Sequence, residues 1–377
     1  MVIRITYLIT VFVSLLLLLI GHQIAVVNLP NFHEDTNEVV RARVLRIVDQ
    51  NEPGNDFEEF IPFQIRRITF EARVTRGERR GQIITATQGL GGFHGVIARE
   101  VSRNDSILLV NMHDTWFFTG YLRTNRLLVL GMLFTLCVLF FGGKKGFNTL
   151  LSLTLTLGAI FAVFIPSILS GKNIYLMAIL VCLYTTFMTL LIVIGFNKKA
   201  FTAGVGCICG LAVTGLLTII MDRVLFLTGV VDEHSRLLLT LPVENPINLR
   251  AIIFAGIIIG AMGAIMDVSI SISSALWELK KEAKRVNFKS MFHSGLTIGR
   301  DIFGTMANTL ILAYLGTSLS LVLILSVYSN SLLALLNSEM IVVEILKGLA
   351  GIFGILLAMP LTAMICSVSY TDKSPVR

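Results

Sequence analysis

Long apolar runs separated by short polar connections make up most of this chain, and one region of different character lies near the N-terminus. Most runs approach or exceed the ~20 residues that an α-helix needs to cross the hydrocarbon core of a bilayer. The pattern therefore predicts about eight membrane-spanning helices. The predicted spans are 5–20, 127–142, 147–169, 174–196, 201–221, 251–276, 302–328 and 341–368. No small-x-small cleavage site follows the first run, so we expect an uncleaved span and not a signal peptide.

Residues 31–126 have a different pattern, in which short β-rich segments alternate with turns rich in Gly, Asn and Asp. Several short strands at this spacing are typical of a small barrel or sandwich, and we expect an OB-like or SH3-like barrel. The predicted strands are 39–48, 64–74, 81–87, 95–101, 106–112 and 116–121.

The predicted fold class is accordingly mainly α, a polytopic membrane helix bundle with a small β-barrel-like domain between its first and second spans. Residues 1–30 form the first transmembrane helix, 31–126 the β-rich domain, and 127–377 a transmembrane domain of about seven helices. On the outer side, the connection 222–250 is long enough to lie along the surface or to cap the bundle.

Composition supports a membrane protein, because 54% of the residues are hydrophobic and only 15% are charged. A formal net charge of +7 raises the possibility of a polyanionic partner. However, most of the basic residues lie in short connections at alternate loops, which is the pattern of cytoplasmic loops. These loops contain Lys144 and Lys145, Lys198 and Lys199, and Lys280, Lys281, Lys284, Arg285 and Lys289.

This charge pattern predicts a protein of the cytoplasmic (inner) membrane with both termini in the cytoplasm and residues 31–126 outside. Arginines in the β-rich domain, at 66, 67, 76, 79 and 80, are not interleaved with aromatic residues and have glutamates beside them. They are typical of a solvated strand face. We therefore expect the lipid bilayer as a partner and no nucleic acid.

The cysteines and histidines do not indicate a metal or cofactor site. All five cysteines lie in apolar runs, where a free thiol is usually a small packing residue. The histidines are scattered without a ligand spacing such as HExxH. We therefore expect no metal and no cofactor.

Polar residues within two of the predicted spans are the candidates for function. On the first, Gly260, Gly263, Asp267, Ser271, Ser274 and Glu278 recur at steps of three and four, so they share one helix face. On the second, Asp301, Thr305 and Asn308 do the same. A carboxylate in an apolar helix costs ~2.5 kcal/mol or more and normally faces a protein interior or a water-filled cavity. We expect these two faces to meet around water inside the bundle.

The candidate transport or relay residues are Asp267, Asp301, Asn308, Thr305, Ser271, Ser274 and Arg300. Asp267 is either a proton- or cation-linked carboxylate or a packing residue that bonds a neighbouring helix. Ser271 and Ser274 either supply hydroxyls to a water chain or allow close helix packing. Asp301 either takes part in function, caps its helix or pairs with a basic residue.

Arg300 either reaches the headgroups or pairs with Asp267 or Glu278. In the last span, Glu344 and Lys347 are three residues apart and are expected to pair with each other. In the span at 201–221, small residues at Ala203, Cys207, Gly210 and Thr214 share a face suited to close helix approach.

Three segments carry a family resemblance: GAIMDVSISISSALWEL, GRDIFGTMANTLILAYLGTSL and EILKGLAGIFGILLAMPLTA. They resemble the YibE/F family of bacterial membrane proteins, and the resemblance extends over nearly the whole chain. It implies a multi-pass inner-membrane protein, in a family whose molecular activity is not settled. The hallmark segments of that family match at Asp267 and at Gly299, Arg300 and Asp301, followed by Gly304, Thr305, Asn308 and Thr309.

A more distant similarity is to the resistance–nodulation–division permeases, which also place an external domain after the first span and an Asp-containing span before a basic loop. The similarity implies transport. This chain differs in having about eight predicted spans with no visible duplication, where those permeases have six in each unit.

Three classes of function are open at this point. The first is a transporter or permease component of unknown substrate, coupled to protons or cations through its intramembrane aspartates. The second is a non-transporting assembly or docking protein whose outer β-domain binds a partner. Either class is compatible with a homo- or hetero-oligomer containing another membrane protein.

An enzyme is the third class, because two aspartates on successive spans resemble an intramembrane aspartyl protease. The resemblance fails at Ile298-Gly299-Arg300, where that family has a Gly-x-Gly lead, and the adjacent arginine would keep Asp301 ionised. Motifs for nucleotide or ester hydrolysis are also missing from the sequence. We therefore expect a protein that is not an enzyme and has no catalytic residues.

Overall fold

The computed structural model describes residues 2–30, 38–53, 66–90, 99–112, 114–243, 245–282, 286–328 and 331–371. The chain divides into two units. One comprises Met1–Pro30 with Val138–Arg377, and the other comprises Asn31–Cys137. The first unit is helical, and the second contains the strands and the start of a long helix. The predicted division into a membrane domain and an outer β-rich domain stays a prediction.

Five strands of the second unit form a closed barrel in the order β1-β2-β3-β5-β4. The β3–β5 pair is parallel and the other pairs are antiparallel. The strands are β1 Val39–Pro53, β2 Arg66–Arg76, β3 Ile83–Leu90, β4 Ser106–Met112 and β5 Thr115–Tyr121.

Alternation of apolar and polar residues explains the barrel. In β2, Ile68 and Phe70 are fully buried in the barrel core, whereas Arg67 and Arg73 point outward. Five of the six predicted strands are confirmed to within a few residues at each end.

The predicted strand at 95–101 lies mostly outside the described residues, and its described part, 99–101, is not a strand. The buried side chain of Gln88 holds this segment instead. It donates to the Arg99 carbonyl at 3.0 Å and accepts from the Val101 amide at 2.9 Å. These are the bonds that a strand partner would otherwise make.

Among the described residues, six helices are long and apolar enough to cross a membrane, or up to seven if α8 and α9, bent by 62° at their junction, form one span. The helices are α1 Val2–Val26, α2 Thr124–Gly158, α3 Ile165–Leu169, α4 Ile174–Val193, α5 Lys198–Val224, α6 Glu233–Leu239, α7 Leu249–Glu282, α8 Phe288–Thr317, α9 Leu319–Tyr328, α10 Leu332–Leu336 and α11 Glu339–Tyr370. A π-helical turn at Ala159–Phe164 joins α2 to α3.

Helix α2 is broken at Gly143, whose φ of 52° and ψ of −129° are not helical. A Cβ atom built on Gly146 would overlap the carbonyl oxygen of Val138, eight residues earlier. Those residues would be about 12 Å apart in a continuous helix, so the chain turns back sharply here. This confirms the break predicted between the runs 127–142 and 147–169. The total number of membrane crossings remains a prediction.

Close contact between backbones holds α5, α7, α8 and α11 together. A Cβ atom built on Gly210 of α5 would lie 2.7 Å from both Ala358 of α11 and Ile265 of α7. A Cβ built on Gly295 of α8 would lie 2.7 Å from Ala363 of α11. Lipid chains are as apolar as the side chains, so close van der Waals packing takes the place of the hydrophobic effect between these helices.

The small-residue face predicted on α5 is confirmed as an interface, since Ala203, Cys207, Gly210 and Thr214 are all buried. Cys182, Cys207 and Cys366 are also buried, as expected for thiols used in packing. Cys137, in contrast, is exposed and Cys209 is partly exposed.

We predict that Gly210→Ala lowers the free energy of unfolding by about 1–3 kcal/mol, because the added methyl overlaps two neighbouring helices. The matched control is Gly256→Ala in α7, where nothing lies within 4 Å of the built Cβ. The control is expected to stabilise by up to roughly 1 kcal/mol through helix propensity. Thermal unfolding midpoints in one detergent would test this, and equal shifts for both variants would contradict the packing described here.

Candidate functional site

Helix α7 presents two different faces. Its buried face includes Ile265, Ser269 and Ile272, all fully enclosed in the bundle. On the other face Asp267 is exposed, and Ser271 and Ser274 are half-buried. This separation follows from the helical repeat, because the two sets point in opposite directions around the helix axis.

Helix α8 is arranged in the same way. Gly295 and Gly299 are buried. Arg300, Asp301, Thr305 and Asn308 are all exposed, and so is the intervening Gly304. The polar residues chosen from the sequence therefore lie on the sides of α7 and α8 that the described chain leaves open. We call these residues the polar face: Gly260, Gly263, Asp267, Ser271 and Ser274 of α7 with Arg300, Asp301, Gly304, Thr305 and Asn308 of α8.

The register between α7 and α8 follows from two close contacts. A Cβ built on Gly295 would lie 3.0 Å from Leu276, and a Cβ built on Gly299 would lie 3.2 Å from Ile272. Residue numbers rise along one helix as they fall along the other, so the helices are antiparallel.

The same register places Asp267 of α7 level with Gly304 of α8, three residues from Asp301. The two carboxylates therefore differ in depth by only about 4.5 Å, the rise of three helical residues. Among the described residues, neither carboxylate has a hydrogen bond or an ion pair.

The sequence predicted that Asp267 and Asp301 would meet inside the bundle, and the single chain described here does not have that arrangement. Both side chains lie on the outer side of their helices, because the opposite sides are occupied in packing on α5 and α11. The structure brings the two aspartates to one depth on neighbouring helices but does not enclose them. Their role in a relay remains a prediction.

The sequence suggested ion pairs for Glu344 and for Glu278. Glu344 and Lys347 form an ion pair of 2.5 Å, as predicted. Glu278 pairs with Lys281 at 3.0 Å and not with Arg300. Within the described residues Arg300 has no ion-pair partner.

A buried hydroxyl cluster, which the sequence analysis missed, joins α5, α7 and α11. The Thr202 hydroxyl lies 2.7 Å from that of Ser273 and 2.6 Å from that of Tyr370. Ser273 also donates to the Lys199 carbonyl at 2.9 Å, and Lys280 Nζ donates to the Tyr370 carbonyl at 2.5 Å. The cluster closes the end of the bundle where α5 begins and α7 and α11 end.

In α7 the buried serines are Ser269 and Ser273, whereas the candidates Ser271 and Ser274 are half-buried. Ser269 and Ser273 are four residues apart, which is the spacing of one helix face. That spacing was visible in the sequence. It could not be distinguished from the spacing of the neighbouring serines without knowing which face α7 turns toward the bundle.

Comparison with known proteins identifies the family. A family model described as YibE/F-like protein matches residues 130–372. No curated protein and no solved structure matches the chain. The matched residues include Asp267, Asp301 and Asn308 and leave out the barrel. Because the match covers more than half of the 377 residues, the chain belongs to the YibE/F family.

Proposed function

We propose that this protein is a component of a membrane transporter or permease, in which the polar face lines a hydrated path coupled to protons or cations. The observation that carries the proposal is the position of Asp267. It lies near the middle of the 34-residue helix α7, on a side that the described chain leaves open.

A lipid-facing position would be unfavourable for these residues. A carboxylate at the centre of a bilayer costs ~2.5–3.5 kcal/mol even on the mildest scale, and such residues normally face protein or water. We therefore propose that another protein surface covers the polar face in the membrane, with water between the two. A second copy and a different membrane protein are both compatible, because the face carries donors such as Arg300 and Asn308 as well as carboxylates.

The Tyr314 hydroxyl supports a hydrated path. It lies over Gly260, two helical turns from Asp267 on the same side of α7. This hydroxyl is buried and has no hydrogen-bond partner among the described residues. A buried polar atom without a partner usually bonds an ordered water. Water at Tyr314 would extend the polar face toward the far end of α7.

The contacts of the hydroxyl cluster are consistent with the proposed orientation. They bring the start of α5, with Lys198 and Lys199, to the same end of the bundle as Lys280 and Lys281 of α7. Lysines concentrated at one end favour a cytoplasmic location for that end. The proposal therefore keeps the cytoplasmic membrane, with both termini inside and residues 31–126 outside.

The alternative function is that of a docking protein whose barrel binds a partner, and the structure of the barrel favours it. The barrel lies in a unit separate from the bundle and has a core of its own, which is what an independent binding module needs. We propose no enzymatic activity, because Arg300 precedes Asp301 and would keep that carboxylate ionised, whereas a catalytic aspartate pair shares a proton.

We predict that a hydrophilic thiosulfonate labels Ser271→Cys and Thr305→Cys in the membrane-embedded protein, after the native cysteines have been replaced. Water in the path would allow the reactive thiolate to form. Leu180→Cys in α4 is the control, since Leu180 is an exposed apolar residue expected to face lipid. If Thr305→Cys and Ser271→Cys are as unreactive as Leu180→Cys, the polar face is dry.

We further predict that Asp267→Asn reduces proton flux into proteoliposomes, driven by a potassium diffusion potential, to the level of protein-free vesicles. An amide cannot take up and release a proton in this pH range. The control, Arg46→Gln/Glu71→Gln, removes an ion pair between β1 and β2 of the barrel and should keep the wild-type flux. Wild-type flux in Asp267→Asn would exclude the carboxylate from the path, and background flux in the wild type would contradict a continuous proton path along the polar face.

Docking and transport make opposite predictions for a variant in which residues 39–121 are replaced by a flexible linker. A docking protein should lose copurifying partners in this variant and retain them in Asp267→Asn. A transporter whose barrel only assists should retain vesicle flux without the barrel and lose it in Asp267→Asn. Cross-linking with mass spectrometry and the flux assay, applied to both variants, would distinguish the two functions.

A further inference from the structure

A polar pocket of about 620 Å³ lies within the unit Asn31–Cys137, where the barrel continues into α2. Its lining includes Arg99, Asn104, Asp105, Arg123, Asn125 and Arg126. Three guanidinium groups and one carboxylate give this lining a net positive charge. The volume is in the range of pockets that hold small ligands.

One arginine of the pocket is held in position by the barrel. Arg99 pairs with Asp105 at 3.4 Å and lies over the ring of Tyr121, 5.6 Å from its centroid. The Tyr121 hydroxyl donates to the Arg99 carbonyl at 2.7 Å. Asp105 also accepts from the Ser102 amide at 2.9 Å. The carboxylate is therefore already engaged on two sides.

The other two arginines have no such partners. Within the described residues, neither Arg123 nor Arg126 forms an ion pair. Arg123 nevertheless lies close to the group around Arg99. Burial raises the pKa of the Tyr121 hydroxyl. The negative charge of Asp105 raises it further, whereas the positive charges of Arg99 and Arg123 lower it. Two guanidinium groups are thus free to bind an anion beside a third.

The position along the chain indicates which anion. β5 ends at Tyr121 and α2 begins at Thr124, so only two residues separate the barrel from a membrane-spanning helix. The first apolar residues of α2, Leu127 to Leu130, are all exposed. Arg123 and Arg126 therefore lie at the polar boundary of the bilayer, where lipid phosphates are found.

We propose that this pocket binds the headgroup of an anionic phospholipid, namely phosphatidylglycerol. Arg123 and Arg126 donate to the phosphate oxygens, for which a guanidinium is well suited because it can donate two parallel bonds. Asn104 and Asn125 offer amide groups to the glycerol hydroxyls. Asp105 disfavours free inorganic phosphate, because its charge repels a dianion more strongly than the singly charged phosphodiester.

The basic residues at this boundary also need an explanation under the proposed topology. Arginines beside a span normally accumulate on the cytoplasmic side, whereas Arg123 and Arg126 would lie outside. A specific lipid contact accounts for their position.

The test is native mass spectrometry of the full-length protein, purified in a maltoside detergent and equilibrated with equal amounts of phosphatidylglycerol and phosphatidylcholine. The expected result is preferential retention of phosphatidylglycerol by the wild type. Arg123→Gln/Arg126→Gln should lose at least about tenfold of this preference, because two charge-assisted bonds are removed. The matched control, Arg43→Gln/Arg73→Gln, removes the same charge from opposed positions on β1 and β2, outside the pocket, and should retain it.

A second variant keeps the test valid if the glutamine pair fails to insert. Arg123→Lys/Arg126→Lys retains both charges beside the span and loses the bidentate geometry, so it should insert normally and lose part of the preference. Equal losses in the pocket variant and in the barrel control would overturn the proposal in favour of diffuse electrostatic attraction. Equal retention of both lipids by the wild type would also overturn it, as would displacement of the lipid by low concentrations of inorganic phosphate.

Discussion

The close approach of α5, α7 and α11 at Gly210, Ile265 and Ala358 is the contact on which the rest of the bundle depends. In a bilayer, helices do not associate by removing apolar surface from water, so their stability rests on small residues that let backbones touch. Such contacts also fix how each helix is rotated about its axis. With Ile265 turned toward α5 and α11, Asp267 must point away from them.

This rotation determines what the polar face can do. Two carboxylates at nearly one depth, on the open sides of α7 and α8, are not a closed cavity. They are one wall of a potential path. The energetic cost of leaving that wall against hydrocarbon is the physical reason to expect a second protein surface in the membrane. The hydroxyl cluster of Thr202, Ser273 and Tyr370 is different in kind, since its members satisfy one another and stabilise one end of the bundle.

The barrel and the bundle follow different folding rules within one chain. Alternation along β2 places Ile68 and Phe70 inside and Arg67 and Arg73 outside, so water on one side and a core on the other define the sheet. The bundle has no such contrast between core and surroundings, because its lipid-facing and buried side chains are equally apolar. The proposed lipid site lies at the boundary between these two regimes, where arginines meet both water and the first apolar turn of α2.

The sequence by itself indicated the long apolar helices, five of the strands and the break near Gly143, because hydrophobic length and alternation are local properties. It also determined that Asp267, Ser271 and Ser274 share a face, and that Glu344 can reach Lys347. Only the tertiary structure decided which face of α7 turns inward, because inward- and outward-facing positions of a membrane helix are both apolar. For the same reason it alone decided that Ser269 and Ser273 are interior and that Asp267 is not. The tertiary structure also brings Arg99 and Arg123, which are 24 residues apart in the chain, to one pocket.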